Sequence, residues 1–315
     1  MRIFRHIADV PDAFKGAVVA IGNFDGVHRG HQALIGEAAR MAEERSAPLA
    51  VMVFEPDPQE FVRPGGEAFR LTPFRPKARL IAAQGVDALY ALAFDAEMAH
   101  RSAQEFVLDI LVKGLEVGCV VVGAEFRFGK GRAGDAAVLS YMGEMEGFGT
   151  VIYDPVQTRR GEKISSTLIR EALRAGQPEE ATRLLGHPFA VEGRVEHGDR
   201  RGNTIGYPTA NMHFESYVHP AFGIYAVRAA ILEEDKIVSR HEGVANLGIR
   251  PMFRTDVPIL ETFLFDFSGD LYGKHLMVEL IAYLRPEAKF DGVEALKAQI
   301  AKDVEDAKVM LTKTP

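Results

Sequence analysis

Apolar positions in the first 185 residues gather into short unbroken runs, separated by longer stretches with apolar residues three or four apart. The runs read "AVVAIG" (17–22), "LAVMVF" (49–54), "DALYALAF" (87–94), "CVVVGAEF" (119–126) and "TVIYDPV" (150–156). Between them lie "HQALIGEAARMAEE", "PKARLIAAQG", "SAQEFVLDILVKGL" and "DAAVLSYMGEMEG", whose spacing is that of amphipathic helices. A strand that is apolar at every position has both faces covered. Helices alternating with such strands predict right-handed crossovers and a parallel sheet. The expected fold of this half is α/β, a doubly wound, Rossmann-like domain whose ligands gather beyond the carboxyl ends of the strands.

After "AGQPEEATRLLGHPF" the rhythm changes. The runs "FAVEGRVEHG", "YPTANMHF", "GIYAVRAAIL", "LETFLFDF" and "HLMVELIAYL" follow one another between Gly, Pro and Asp turns, with no helical pattern intervening. Such spacing predicts a small antiparallel β-barrel. A terminal helix is expected over "DGVEALKAQIAKDVEDAKVML", whose apolar residues form one stripe. The boundary falls near Gly186–Pro188, giving domains 1–185 and 186–315.

Composition narrows the class. A chain of 315 residues suits about two domains and needs no disulfide staple. Its net charge of −7 argues against a nucleic-acid partner. No apolar run approaches the ~18 residues needed to span a bilayer. The start, "MRIFRHIADVPDAFKG", lacks the apolar core and cleavage site of a signal peptide. The single cysteine, Cys119 in "VGCVVVG", excludes an internal disulfide and a cysteine-cluster zinc site, and it reads as a buried strand residue. The expectation is a reduced, cytoplasmic protein with no membrane partner.

Two helix starts in the first half carry charge of the unfavourable sign. Helix N-termini are partially positive and hold unpaired N–H groups, so acids are favoured there. Yet the first helix is entered through His28, Arg29 and His31, and the helix opening "ISSTLIREAL" has Arg170 in or near its first turn. An anion arriving at both places resolves the conflict. Gly22, Gly26 and Gly30 allow close backbone approach to a phosphate, and Ser165, Ser166 and Thr167 offer hydroxyls and N–H groups. Arg170 can grip phosphate oxygens bidentately. Two other readings stay open: "HRGH" as a metal pair, and Ser166 as an ordinary helix cap. No P-loop motif is present.

"GNFDGVHRGH" resembles the GxFDxxHxGH motif of nucleotidyltransferases related to class I aminoacyl-tRNA synthetases, and "ISSTLIR" their triphosphate motif. With "FEPDP", "LTPFRPKARLIAAQGVD" and "GAEFRFGKGRAGD", the whole half resembles the adenylyltransferase module of the bacterial bifunctional riboflavin kinase/FAD synthetase family. The resemblance implies adenylyl transfer from ATP to FMN, giving FAD and pyrophosphate. It gives His28 and His31 to the transferring group, and Gly22, Phe24, Asp25, Gly30, Ser165, Ser166, Thr167 and Arg170 to ATP. Asp57, Glu125 and Arg127 are the residues for nucleotide or flavin positioning. Asp57 stands where many relatives have histidine, and Glu125 where Asp or Asn is usual.

In the second half, "GDRRGNTIGYPTAN" sets Gly198, Gly202 and Gly206 four apart before Pro208, Thr209 and Asn211. Pro208 begins an extended segment, so Thr209 and Asn211 share a face and offer hard oxygen ligands suited to Mg²⁺. A glycine-rich hairpin with a polar edge strand accounts for the same spacing. In "LETFLFDF", period two puts Glu261 with Phe263, Phe265 and Phe267. A carboxylate in such surroundings suits a general base, and a glutamate at a wet barrel rim is the plain alternative. These segments resemble the GxxxGxxxGxPTAN signature of riboflavin kinases, with "GVANLGIRPMF" and "LRPEAKF" matching further on. That resemblance implies a six-stranded Greek-key barrel phosphorylating the ribityl 5′-hydroxyl of riboflavin. It assigns Mg²⁺–ATP to Thr209 and Asn211, the base to Glu261, and ATP or flavin lining to Gly198, Gly202, Gly206, Pro208, Asn246 and Arg250. Met252 replaces a common threonine.

The expected partners are thus riboflavin, FMN, FAD and ATP. Two rivals are a nucleotidyltransferase for another substrate fused to an idle barrel, and a flavin-binding protein without catalysis.

Overall fold

The all-apolar runs of the first half do form a parallel sheet covered on both sides. In the computed structural model, which describes residues 1–62, 65–66, 68–197, 206–214, 216–234, 236–249 and 258–314, the chain divides into two compact units. The first comprises Met1–Glu67 and Thr72–Ser165, the second Ala68–Leu71 and Ser166–Pro315.

The first unit holds β1 (Arg2–Phe4), β2 (Val18–Ile21), α1 (Arg29–Arg45), β3 (Leu49–Glu55), α2 (Pro58–Val62), α3 (Phe74–Ala82), β4 (Ala88–Ala93) and α4 (Ala96–His100). There follow α5 (Ala103–Glu105), which widens into π-type turns over Phe106–Val112, β5 (Cys119–Gly123), the short hairpin β6 (Arg127–Phe128) and β7 (Gly134–Asp135), α6 (Ala136–Glu146) and β8 (Gly149–Tyr153). The sheet order is β1-β4-β3-β2-β5-β8, parallel throughout. Alternate residues feed two cores. Val19, Ile21, Met52, Tyr90 and Val120 pack with Phe106 and Leu139 on one face. Val18, Ala20, Val51, Leu89 and Val121 pack with Ile35 and Ile81 on the other. Each fully buried Val, Leu or Ile contributes about 1.5–3 kcal/mol, which is why these strands carry no polar face.

The second unit begins with α7 (Ser166–Arg174) and α8 (Pro178–Leu185), followed by β9 (Phe189–Arg194), β10 (Ala210–His213), β11 (Gly223–Glu233), β12 (Lys236–Ile249), β13 (Pro258–Leu264), β14 (His275–Arg285) and α9 (Val293–Lys313). The antiparallel order β10-β13-β12-β11-β14-β9 contains a Greek key, with β14 returning beside β11 of the β11–β12–β13 meander. The two edges meet where the Glu196 amide donates to the Asn211 carbonyl at 2.9 Å, closing the sheet into a barrel. Helix α9 lays Ala307 and Leu311 against Val244, Ala226 and Phe263. It is fixed by Arg285, whose Nε and Nη2 donate to the two oxygens of buried Asp303 at 2.7 and 2.6 Å.

All ten expected strands and the terminal helix are present. Three features lie outside the pattern reading: β1, the β6–β7 hairpin, and β12, the longest strand. Gly243 of β12 permits the β13 backbone to come close, since a Cβ there would lie 2.3 Å from the Phe263 carbonyl oxygen.

Candidate active sites

The first site is built from the turn that leaves β2. Phe24 and Val27 hold left-handed backbone (φ 50° and 40°) although both side chains are buried, a local strain that surrounding contacts must hold. Those contacts come from the start of α3. The Thr72 amide donates to Asp25 Oδ1 at 2.9 Å, and the Gly26 amide donates to Thr72 Oγ1 at 2.8 Å. His28 then caps α1, its Nδ1 accepting from the His31 amide at 3.3 Å. Acceptance at Nδ1 puts the proton of the neutral ring on Nε2, leaving that atom a donor.

His28 and His31 stack, with centroids 3.6 Å apart and planes 15° from parallel. Phe24 lies 5.1 Å from His31. Gly30 makes the stack possible, because a Cβ there would sit 3.1 Å from the His28 ring and 3.6 Å from the Ile164 carbonyl oxygen. The in-plane lone pairs of two stacked rings run side by side instead of converging on one ion. Among the described residues no three His, Cys, Asp or Glu gather in metal-ligating geometry.

Burial holds the His31 pKa well below the usual imidazole range, and the positive charges of His28 and Lys77 push it the same way. A base with a depressed folded pKa binds its proton more readily when unfolded. Its contribution to stability is present above the unfolded value and is lost as pH falls below about 6.5. Thermal unfolding followed from pH 8 to pH 5 should show this acid loss, and His31→Phe should lessen it; an unchanged slope contradicts the assignment.

The segment "ISSTLIR" follows an ordered hairpin. The Thr158 amide donates to Glu162 O at 2.7 Å and the Ile164 amide to Val156 O at 2.9 Å, which brings Ile164 beside Gly30 within the first unit. Ser165 ends that unit. Ser166, Thr167 and Arg170 lie on α7 in the second unit, where Arg170 Nε donates to the Phe69 carbonyl at 2.6 Å and the guanidinium covers the Phe69 ring.

Asp57, Glu125 and Arg127 each have a partner in the structure. Asp57, 3% exposed, accepts from the Gln59 amide at 2.9 Å at the start of α2. Glu125 pairs with Lys163, and Arg127 Nη1 lies 3.2 Å from Asp135 Oδ2 across the β6–β7 hairpin. Sequence reading missed a wall of phenylalanines at the carboxyl ends of β3, β4 and β5. Phe61 meets Phe94 at 5.5 Å, Phe94 meets Phe54 at 5.8 Å, and Phe54 meets Phe106 at 6.2 Å. Phe106 meets Phe128 at 5.5 Å, and Phe128 stacks on Phe126. The signal was in the chain, since "VMVF", "LAF" and "AEFRF" each close a strand on phenylalanine.

The second site lies across three barrel strands. Asn211 on β10 pairs in register with Glu261 on β13, which pairs with Asn246 on β12. Registered neighbours share a face about 4.5–5.5 Å apart, so carboxylate and both amides form one row. Glu261 is the fourth of seven residues in β13, not a rim residue, and it is half-buried. Its neighbours Leu260, Thr262 and Leu264 fill the opposite, buried face. Asn211 Oδ1 and Asn246 Oδ1 are both buried without a partner among the described residues. Thr209 precedes β10, where its carbonyl accepts from Asn211 Nδ2 at 3.5 Å. Gly206 turns at φ 90°, and Tyr207 packs edge-on to Phe263 at 5.2 Å. Gly198, Gly202, Arg250 and Met252 lie outside the described residues.

Comparison with known proteins matches the two halves of the chain to two families. Residues 10–168 match the family model for FAD synthetase, and residues 185–311 that for riboflavin kinase. The chain is 43% identical over 304 residues to the Escherichia coli K12 protein named bifunctional riboflavin kinase/FMN adenylyltransferase, covering 96% of each. A protein of the same name from Pseudomonas fluorescens is 40% identical, with 98% of each covered. The chain belongs to the bifunctional riboflavin kinase/FMN adenylyltransferase family. Its structure is also similar to a solved one described as a macrolide-efflux protein from Streptococcus pneumoniae, with a TM-score of 0.84 and 32% identity over 97% of this chain and 98% of that one. Among the described residues no helix is long and apolar enough to cross a membrane.

Proposed function

We propose that residues 186–315 phosphorylate riboflavin to FMN and that residues 1–185 adenylylate FMN to FAD, each step consuming ATP. Membership of the family carries the two activities, and the residues matched by its two family models support the division of labour.

In the kinase, the row Asn211–Glu261–Asn246 is the observation that supports the reading most directly. Glu261 takes the proton of the ribityl 5′-hydroxyl as its oxygen attacks the γ-phosphorus; the bond to the bridging oxygen breaks and ADP leaves. The residues fit a divalent cation, because the unpartnered Asn211 Oδ1 and the Thr209 hydroxyl are hard oxygen donors. Mg²⁺ held there would offset phosphate charge. Gly206 and Pro208, with Gly198, Gly202, Asn246 and Arg250, line the nucleotide or flavin.

In the adenylyltransferase, a phosphate oxygen of FMN attacks the α-phosphorus of ATP and pyrophosphate departs. His28 and His31 donate to the oxygens on which charge grows, while Gly22, Phe24, Asp25 and Gly30 keep the turn in shape. Ser165, Ser166, Thr167 and Arg170 hold the triphosphate, by likeness of the ISSTxxR motif. The phenylalanine wall offers ring faces and edges suited to the flat isoalloxazine. Asp57, Glu125 and Arg127 position the nucleotide or flavin, by likeness of the motifs that carry them. A cytoplasmic location suits an enzyme that depends on ATP and carries one reduced thiol.

The test is incubation of purified protein with riboflavin, ATP and Mg²⁺, followed by separation of the flavins. FMN and FAD together are the expected products. FMN alone removes the adenylyl assignment, and no flavin product removes both.

A further inference from the structure

The side chain of Arg170 is held by a residue far from it in sequence. Its Nε donates to the Phe69 carbonyl at 2.6 Å, and its guanidinium carbon lies over the Phe69 ring, 5.3 Å from the centroid. The two residues are 101 apart along the chain. Phe69 belongs to the segment Ala68–Leu71, which groups with α7 in the second unit although both flanks lie in the first. That segment has an anchor of its own. The Val218 amide donates to the Arg70 carbonyl at 2.8 Å, and Arg70 and Leu71 are buried. Phe69 is thus held through its chain neighbours, independently of the arginine it meets.

An arginine has many rotamers to lose, and its planar fork grips a phosphate well only from a set orientation. Phe69 supplies two constraints at once. The ring lies on one side of the guanidinium, and the carbonyl takes Nε. With Nε committed there, the edge that meets an anion through two parallel bonds is the end-on pair, Nη1 and Nη2.

We propose that Phe69 is a positioning residue for adenylyl transfer, its carbonyl and ring together aiming the Arg170 guanidinium at the triphosphate of ATP. Phe69 touches no reacting atom and acts through Arg170 alone. The proposal rests on the reading of "ISSTLIR" as the triphosphate site. A preset arginine lowers the ordering that ATP binding must impose on a flexible side chain. The ring's negative face and the carbonyl oxygen also favour the guanidinium before any phosphate arrives.

Phe69→Leu tests this, because it removes the ring and keeps an apolar side chain and the backbone carbonyl. With FMN and ATP supplied, KM for ATP in FAD formation should rise about 5–30-fold, the span of a cation–π contact read as an equilibrium constant. The kcat and the KM for FMN should stay near the parental values, and so should riboflavin phosphorylation. Phe69→Tyr keeps the ring face and should retain the parental KM for ATP. In an Arg170→Gln background no guanidinium is left to aim, so Phe69→Leu should lower kcat/KM for ATP no further. Phe69→Met serves as the second ring-free variant should leucine impair folding.

An unchanged KM for ATP in a folded ring-free variant overturns the proposal. So does an equal loss from Phe69→Leu with and without Arg170, or a matching fall in riboflavin phosphorylation, since either makes the ring a packing element only. Arg170→Gln by itself separates the two levels. If it raises KM for ATP while the Phe69 variants do not, only the role of Phe69 fails; if it leaves KM for ATP untouched, the triphosphate reading of the segment fails.

Discussion

His31→Ala should lower FAD formation from FMN and ATP by about 10²–10³-fold, the loss typical when one preorganised donor to a developing charge is removed. FMN formation from riboflavin should be unaffected, because His31 and the kinase row belong to different compact units. The argument rests on three features of the imidazole. Its stack on His28 fixes the plane, Phe24 packs against it from 5.1 Å, and its Nδ1 is buried with no protein partner among the described residues. A buried polar atom left without a partner is costly, so its persistence calls for a functional reason. Depression of its pKa keeps the ring neutral in the ligand-free protein at neutral pH. An arriving phosphate opposes that depression, because an anion favours the protonated form. Separate assays of the two half-reactions check this. Equal loss of both activities would show that the substitution disturbs the fold, and loss of neither would remove His31 from the chemistry.

How much of this was legible in the sequence follows from how each part is held. The doubly covered strands announced themselves, because burial on both faces demands runs such as "CVVVG" and admits no polar alternation. Strand β12 did not. Its first seven residues, "KIVSRHE", are exposed or half-exposed, and glycines interrupt the rest, so neither period two nor an apolar run shows. Its pairing with β11 and β13 is fixed by the neighbours' backbones. The turn from β2 to α1 was readable because its residues are contiguous and their charge conflicts with the helix start. Lys77 was hidden in an ordinary amphipathic stretch, where a lysine is normally solvated; only the packing of α3 puts it inside. The row Asn211–Glu261–Asn246 draws on three segments, and spacing along one chain cannot supply a register between strands. Glu125 illustrates the reverse case. Its motif position suggests a part in nucleotide or flavin positioning, while its pairing with Lys163, 38 residues away, is a contact that spacing along the chain could not supply.

Glu261→Gln should lower riboflavin phosphorylation by about 10²–10⁴-fold, the contribution of a positioned general base. Adenylylation of externally supplied FMN should continue. Glutamine has the same shape and can occupy the same place between Asn211 and Asn246, so packing and register survive; what it cannot do is accept the proton released as the ribityl oxygen attacks. Thermal melting of the variant beside the parent separates a loss of activity from a loss of fold. Glu261→Asp gives a finer reading. The shortened carboxylate retains the base but draws it back from the row, so FMN formation should fall to an intermediate rate. Should the glutamine variant phosphorylate riboflavin as fast as the parent, the proton must leave by another route, and Glu261 would then serve only to orient the amides on either side of it.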